Sequence, residues 1–301
     1  MILVTGASGH VGGALVAQLA AQHRPVRAMT RRPRELTPPP CAGAASDAEV
    51  EVVYGDCADP GSLRAAFDGV DRAFLMTAQT PGGAERPTHL PALVRAAQLA
   101  GVRHVVALSV YTGGSGGDVL ADWNARAEAA VTAGGMDWTL LRPGRFMTNA
   151  LQWAPQLRAG DTVTLPFAHR AAASVAPADV AAVALAALTT DGHRNTAHRL
   201  SGPQLHTPAE ELAILARVLG RELRAVEPPP DAVRAGMLAA GTSREVVDAI
   251  VARAAGDDGT EVLPTVEQIT GRPPTTFADF ARAHAALFTR TATDPAEEPA
   301  T

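Results

Sequence analysis

The chain has 301 residues, with 26 basic side chains against 31 acidic ones, a net charge of −5 and an isoelectric point near 6.0. All 26 bases are arginine, which excludes a Schiff base, a lysine proton relay or a lysine cradling phosphate, and a guanidinium stays charged and cannot replace them as a proton donor. Mild acidity without a basic block argues against a nucleic-acid partner bound through its phosphates, and the two cysteines, Cys41 and Cys57, form neither a disulfide framework nor a metal-ligand pair.

From the first residue, short apolar runs alternate with helix-type spacing, the pattern of a parallel sheet flanked by helices. Strands are predicted at Ile2–Val4, Val26–Met29, Val50–Tyr54, Ala73–Met76, Val105–Leu108 and Trp138–Leu141. Helices are predicted between them at Val11–Gln22, Gly61–Phe67, Leu90–Ala100 and Leu120–Ala133. Thr37–Ala48, with Pro38-Pro39-Pro40, reads as a flexible excursion between the second and third strands. Past Gly144 the pattern turns less regular and more helical. Thr207-Pro208-Ala209-Glu210 is a capping box ahead of the stripe Leu212, Leu215, Leu219, with Gly220 closing the helix. Thr242-Ser243-Arg244-Glu245 repeats the signal ahead of Val246, Ile250 and Val251. From about Thr289 the chain is polar and proline-containing and reads as a disordered tail.

Three segments are expected: a dinucleotide-binding domain over 1–150, a smaller lobe over 151–288 interleaved with it, and the tail over 289–301. Apolar residues make up 47 % of the chain, enough for a substantial core at this length. No apolar run reaches the roughly 18 residues of a membrane span, and a strand begins at the first residues with no leader before it. No membrane partner is expected, and a cytoplasmic location is.

The most informative segment is Val4-Thr5-Gly6-Ala7-Ser8-Gly9-His10-Val11-Gly12. It leaves a strand and opens an apolar helix, the setting in which a glycine-rich string binds a dinucleotide. Gly6 permits a tight turn, Gly9 lets backbone approach a pyrophosphate, and Gly12 lets the helix pack close. Free N–H groups of Ser8, Gly9, His10 and Val11, at the positive end of the helix, favour the anion. After the second strand, where an NAD site usually carries an acid, stand Thr30-Arg31-Arg32-Pro33-Arg34. Arg31 and Arg32 suit a 2′-phosphate through charge-assisted bonds, so NADP(H) is the expected cofactor. Asp56, after the third strand, is placed either to accept from the adenine amino group or to cap the next turn. Thr77, Ala78 and Gln79 follow the fourth strand at the ligand-binding edge, the first two small enough for ribose and nicotinamide to pass. Thr80-Pro81-Gly82-Gly83-Ala84 reads as a lid.

Together with Gly55-Asp56, Leu108-Ser109, Glu128, Thr139-Leu140-Leu141-Arg142-Pro143, Phe146-Met147-Thr148-Asn149, Pro177-Ala178-Asp179-Val180-Ala181, Leu200-Ser201-Gly202-Pro203 and Gly271-Arg272-Pro273-Pro274-Thr275-Thr276-Phe277, the loop resembles the NmrA-like, atypical branch of the short-chain dehydrogenase/reductase superfamily. The resemblance spans about residues 1–288. It implies a Rossmann-type doubly wound α/β fold with a mostly helical substrate-side lobe, and cofactor contact at Pro143 as well. The branch holds reductases, among them polyketide-tailoring ketoreductases such as the simocyclinone one, and also cofactor-sensing regulators without catalysis. The superfamily's usual Tyr-x-x-x-Lys pair falls here on Leu120 and Asn124, neither a phenol nor an ammonium.

Two functions are therefore weighed. The first is an NADPH-dependent reductase of a ketone or quinone in a flat, apolar or aromatic small molecule, belonging to antibiotic biosynthesis. Its product oxygen would be served by Ser109, Tyr111, Asn124 or ordered water. Its substrate-side candidates are Gln79, Trp123, Phe146, Met147, Asn149 and Trp153. Phe146 and Met147 suit core packing equally well. The second is a non-catalytic redox sensor that binds NADP(H) and contacts a protein partner.

Overall fold

A strand covered on both faces is mainly apolar, and the central strands here are so beyond Arg72 and His104 at the starts of two of them. The computed structural model describes residues 1–37, 50–76, 89–115, 117–254, 256 and 259–289. The calls at Pro38-Pro39-Pro40, Cys41, Thr77, Ala78, Gln79, the 80–84 loop and the tail beyond Thr289 lie outside them. Strands β1 (Ile2–Val4), β2 (Val26–Thr30), β3 (Val50–Tyr54), β4 (Arg72–Met76), β5 (His104–Leu108), β6 (Asp137–Pro143) and β8 (Thr196–Leu200) form one sheet in the order β3-β2-β1-β4-β5-β6-β8. Every pairing is parallel. The strand order reverses at β1, between β2 and β4. Doubly wound sheets open a ligand crevice beyond the carboxyl ends of the strands at such a point.

Helices α1 (His10–Ala21) and α6 (Pro177–Thr189) cover one face of the sheet; α2 (Pro60–Phe67), α3 (His89–Leu99) and α4 (Val119–Thr132) cover the other. The first four helices stand within one residue of the sequence reading. Strand β6 runs beyond its expected limits, Trp138–Leu141, at both ends. At the start Asp137 pairs with His104 of β5; at the far end the cause is β8, which the alternation of half-exposed Thr196, His198 and exposed Ala197, Arg199 hides as an edge strand. It pairs from Thr139↔Thr196 to Pro143↔Leu200 and takes the Gly144 N–H onto the Leu200 carbonyl at 2.9 Å. Residues 177–200 thus rejoin the large sheet, and a division at residue 150 is crossed by α6 and β8.

The smaller lobe contains α5 (Ala154–Ala159), the strand pair β7 (Thr162–Thr164) and β9 (Arg224–Val226), α7 (Pro208–Leu219), α8 (Pro230–Ala239), α9 (Arg244–Ala254) and α11 (Phe277–Ala283), while α10 (Thr265–Thr270) packs back on the main core through Val266 and Ile269. Its core joins Met147, Trp153, Leu157, Leu212, Leu215, Phe277, Phe280 and Phe288. The Thr207–Glu210 capping box forms as read, and Gly220 closes α7 with φ +63°. At α9 the capping hydroxyl is Ser243, one residue later than the repeated signal places it, accepting from Val246 N–H at 3.4 Å. The face buried there belongs to Val247 and Ala249, with Val246, Ile250 and Val251 half-buried.

Two arginine clusters tie the lobe down. Arg145 donates to Ser174 Oγ (2.8 Å), to Glu211 Oε1 (2.9 Å) and to the carbonyls of Arg170 and His206 (3.1 and 2.9 Å). Ser174 also donates to Glu211 at 2.7 Å, in a buried cluster where desolvation still holds the Glu211 carboxyl above its ordinary range. Arg253 on α9 holds Asp118, the cap of α4, through two bonds of 2.7 and 2.9 Å.

His104, 4 % exposed at the start of β5, faces Thr139 Oγ1 at 3.0 Å. Thr139 spends its own proton on the His193 carbonyl (2.6 Å), so the His104 Nε2 is the donor of the pair. Burial, reinforced by Arg72, lowers His104 to about 4. Its folded value lies below the unfolded one, so its contribution is full above about pH 6.5 and is lost as pH falls toward 4. Stability to urea should drop by about 3 kcal/mol over that window, and His104→Gln should flatten most of the slope.

Candidate cofactor cleft and active site

The loop after β1 is shaped by two glycines. Gly6 has φ +63°, the left-handed region, and a Cβ there would stand 2.6 Å from Met76 Sδ. A Cβ on Gly12 would lie 2.3 Å from the Gly6 carbonyl oxygen, inside contact distance. Only glycine at 12 lets the first turn of α1 sit this close under the loop. Gly9 precedes that turn and has no side chain to cap it; its own N–H goes to the Gly6 carbonyl (2.9 Å), and the helical ladder begins with Gly13 N–H to the Gly9 carbonyl (2.8 Å). The N–H groups of His10, Val11 and Gly12 come before that bond, at the positive end of the helix. Thr5, 2 % exposed, locks the base of the loop by accepting from Met76 N–H at 2.9 Å.

A cleft of about 290 Å³ opens at this point and is lined by Thr5, Gly6, Ser8, Gly9, Met29, Thr30, Arg31, Arg32, Gly55, Asp56, Cys57, Met76, His89 and Leu93. Six of the twelve expected cofactor residues, Gly6, Ser8, Gly9, Arg31, Arg32 and Asp56, therefore share one cavity. Ser8 and His10 are exposed on the loop, while Val11 contributes backbone only, its side chain being buried in the core. Arg31 and Arg32 are both exposed, and Arg32 pairs with Glu35 at 2.9 Å, a surface ion pair that an anion can displace. Asp56 Oδ1 accepts from Ala58 N–H at 2.9 Å, whereas the cap of α2 is Asp59. Asp56 thus makes a local turn bond and still lines the cleft. Met29, Met76, Cys57, His89 and Leu93 were not singled out by the sequence. Met29 and Met76 sit at or next to the carboxyl ends of the two strands beside β1, a position the strand order alone would have indicated. Burial, with Asp56 beside it, pushes the Cys57 thiol above its ordinary range. The bare helix start, the glycines and the exposed basic rim fit a dinucleotide carrying a pyrophosphate and a further phosphate.

At the carboxyl ends of β5 and β6 the catalytic candidates separate. Ser109 donates to Glu128 Oε1 at 2.5 Å. Arg142 forks onto the same carboxylate at 2.9 and 2.5 Å, tying β5, α4 and β6 together. Asn124 is 5 % exposed and gives its amide N–H to the Leu120 carbonyl at 2.6 Å. Both polar groups are thus engaged within the protein. Tyr111 stands at the rim: its hydroxyl donates to Glu261 at 3.0 Å, and the Arg199 guanidinium lies over its ring, 4.1 Å from the centre. Burial and the bond to Glu261 push its phenol up, while Arg199 pulls it down.

Of the substrate-side candidates, Met147 and Trp153 are buried in the lobe core (2 % and 8 % exposed) and Phe146 packs against the main core. Trp123 is half-buried on α4, Asn149 is exposed, and Pro143 is buried at the end of β6. Removing the Glu128 carboxylate leaves Arg142 unpaired in a half-buried site. Glu128→Ala should cost about 3 kcal/mol in chemical denaturation.

Comparison with known proteins agrees with this geometry. Residues 6–191 match the NAD(P)H-binding family. A (4-alkanoyl-5-oxo-2,5-dihydrofuran-3-yl)methyl phosphate reductase of Streptomyces griseus is 40 % identical over 294 residues, covering 96 % of this chain and 99 % of that one. An NAD(P)H azoreductase of Xenophilus azovorans is 34 % identical over 295 residues, covering 96 % and 99 %. The structure of an Escherichia coli NADPH-dependent quinone oxidoreductase complexed with NADPH superposes with a TM-score of 0.75 over 95 % of this chain and all of that one, at 24 % identity, and shares the fold. The chain thus belongs to the NAD(P)H-binding family and, within it, to the NmrA-like atypical short-chain dehydrogenases/reductases, and it is an NAD(P)H-dependent oxidoreductase.

Proposed function

We propose that the chain reduces a ketone or quinone carbonyl in a flat, mainly apolar or aromatic small molecule, with NADPH as its preferred reductant. The observation that carries the reading is the convergence of the bare α1 start, Arg31 and Arg32 in one cleft at the strand-order reversal. When bound, the reduced nicotinamide supplies hydride; the chain's own residues supply the rest. Backbone N–H groups of the first turn of α1 hold the pyrophosphate, and the Arg31–Arg32 rim selects the 2′-phosphate. The Ser109–Glu128–Arg142 cluster fixes the ends of β5 and β6, which form the floor on which an acceptor lies.

The named substrates of the relatives support an electron-poor, conjugated acceptor. One relative is named for an oxo-dihydrofuran, one for azo compounds and the structural neighbour for quinones. Such acceptors need little acid assistance, which suits a site where Ser109 and Asn124 are engaged elsewhere. The name of the Streptomyces relative and the lysine-free, arginine-rich usage support a place in secondary metabolism, antibiotic biosynthesis included. The substrate is a small molecule, the location is cytoplasmic, and neither a nucleic acid nor a membrane is a partner.

Arg31→Ala combined with Arg32→Ala should weaken NADPH binding about 10- to 100-fold, as expected for losing two charge-assisted bonds to a phosphate. NADH binding should change little. Equal losses for both cofactors in titration calorimetry would contradict the assignment. NADPH oxidation with a panel of aromatic ketones and quinones should show turnover with at least one. Tight NADPH binding with no turnover across a broad panel would return the sensor reading.

A further inference from the structure

Three polar side chains from separate parts of the chain meet at the rim of the sheet. Tyr111 lies three residues beyond the end of β5. Its ring is packed beside Gly144, where a Cβ would stand 3.7 Å from Tyr111 Cδ2, and so it sits over the end of β6. Arg199, on β8, places its guanidinium over the ring at 4.1 Å and bonds Glu261 at 2.7 Å. Glu261 belongs to the 259–263 segment of the lobe. That segment is fixed to the same rim by the Ala173 N–H on the Gly259 carbonyl (2.9 Å) and the Leu263 N–H on Ser201 Oγ (2.7 Å).

A purely structural ion pair needs no phenol. Here the phenol supplies the only proton in the cluster that a neutral side chain can give up. Its ring stands half-buried at the carboxyl edge, two strands along from the β1 loop that closes the cofactor cleft. A guanidinium over an aromatic face attracts its π electrons, and it attracts a phenolate more strongly than a phenol.

Resting on the reductase reading above, we propose that Tyr111 is the proton donor to the substrate oxygen, with Arg199 and Glu261 as the residues that position and tune it. As the acceptor carbon gains hydride from NADPH, the carbonyl π pair moves onto oxygen. The Tyr111 O–H bond breaks and its proton passes to that oxygen, giving the alcohol. The phenolate left on Tyr111 faces the Arg199 cation and recovers a proton from water, which the 59 % exposure of the Glu261 side chain shows to be at hand. Among the described residues, Arg199 and Glu261 are the charged groups that face the phenol, one from β8 and one from the lobe segment. In the resting state the hydroxyl points at Glu261, so a substrate oxygen must compete with that carboxylate for the proton.

The test compares wild type, Tyr111→Phe, Arg199→Gln, Arg199→Lys and Glu261→Gln with an aromatic ketone and with a quinone. Loss of a general acid costs about 10²- to 10⁴-fold. Tyr111→Phe should lower kcat for the ketone by about 10²-fold or more, leave the KM for NADPH unchanged, and lower quinone reduction much less, because a quinone's product anion can also take its proton from water. Arg199→Gln should lower kcat for the ketone, with Arg199→Lys recovering part of the loss. A readout independent of turnover is the ultraviolet titration of tyrosinate. The chain has two tyrosines, Tyr54 and Tyr111, so the component missing in Tyr111→Phe belongs to Tyr111. That component should move to lower pH in Glu261→Gln and to higher pH in Arg199→Gln. An active wild type with ketone turnover unchanged in Tyr111→Phe overturns this proposal alone. A wild type that oxidises NADPH with neither acceptor overturns it together with the reductase reading.

Discussion

The contact on which the site depends is the approach of α1 to the loop after β1. The Gly6 carbonyl lies where the Cβ of any other residue at position 12 would be, 2.3 Å away. This closeness brings the first turn of α1, with its unbonded N–H groups, to the carboxyl end of β1. There the strand order turns from β2 to β4. The N–H groups and the helix dipole then act on an anion from a fixed position, and no lysine is needed to hold it. Met29 and Met76 on the neighbouring strands and Arg31 and Arg32 beyond β2 are placed by the same sheet register.

With arginine as the sole basic side chain, the protein relies on what a planar fork does well. Arg142 binds Glu128 through two nitrogens, Arg253 binds Asp118 likewise, and Arg145 spreads its bonds over Glu211, Ser174 and two carbonyls. Arg145 and Arg253 join elements distant in sequence, and Arg142 joins the consecutive α4 and β6. Such pairs are costly to break because the surviving charge is left poorly solvated. They fix the ends of β5 and β6 and the lobe above them, and they do so without supplying a proton. Any proton for chemistry must come from another kind of group, which gives Tyr111 its importance.

The kind of cofactor was legible because the signals that point to it are local. The glycine spacing, the following apolar helix and the arginines after β2 lie within about thirty consecutive residues and depend on backbone conformation and charge, both readable from residue type. The six leading strands were legible for a similar reason, being short, mainly apolar runs, three of them interrupted only by Arg27, Glu51 or Thr139. The far edge was not. Strand β8 alternates exposed and half-buried residues, so its pattern does not announce a strand that completes a mainly buried sheet. The substrate side was the least legible part. Met147 and Trp153 look alike whether they line a pocket or fill a core, and the fold places both in the lobe core. Ser109 could be read as a serine at a strand end, but its engagement with Glu128 depends on α4 packing across β5, nineteen residues later. The Tyr111–Arg199–Glu261 meeting spans 150 residues and only the fold brings it about.

The proposed reductase activity rests on one step, delivery of hydride from NADPH, held in the cleft below α1, to a small conjugated carbonyl. Its most direct test is reduction of an aromatic ketone with NADPH carrying deuterium on the transferred position of nicotinamide C4, followed by mass and proton-resonance analysis of the product. The expected product carries one deuterium on the carbinol carbon and none on the oxygen after exchange with water. An alcohol product whose carbinol carbon holds only protium with either face of the nicotinamide labelled would contradict it.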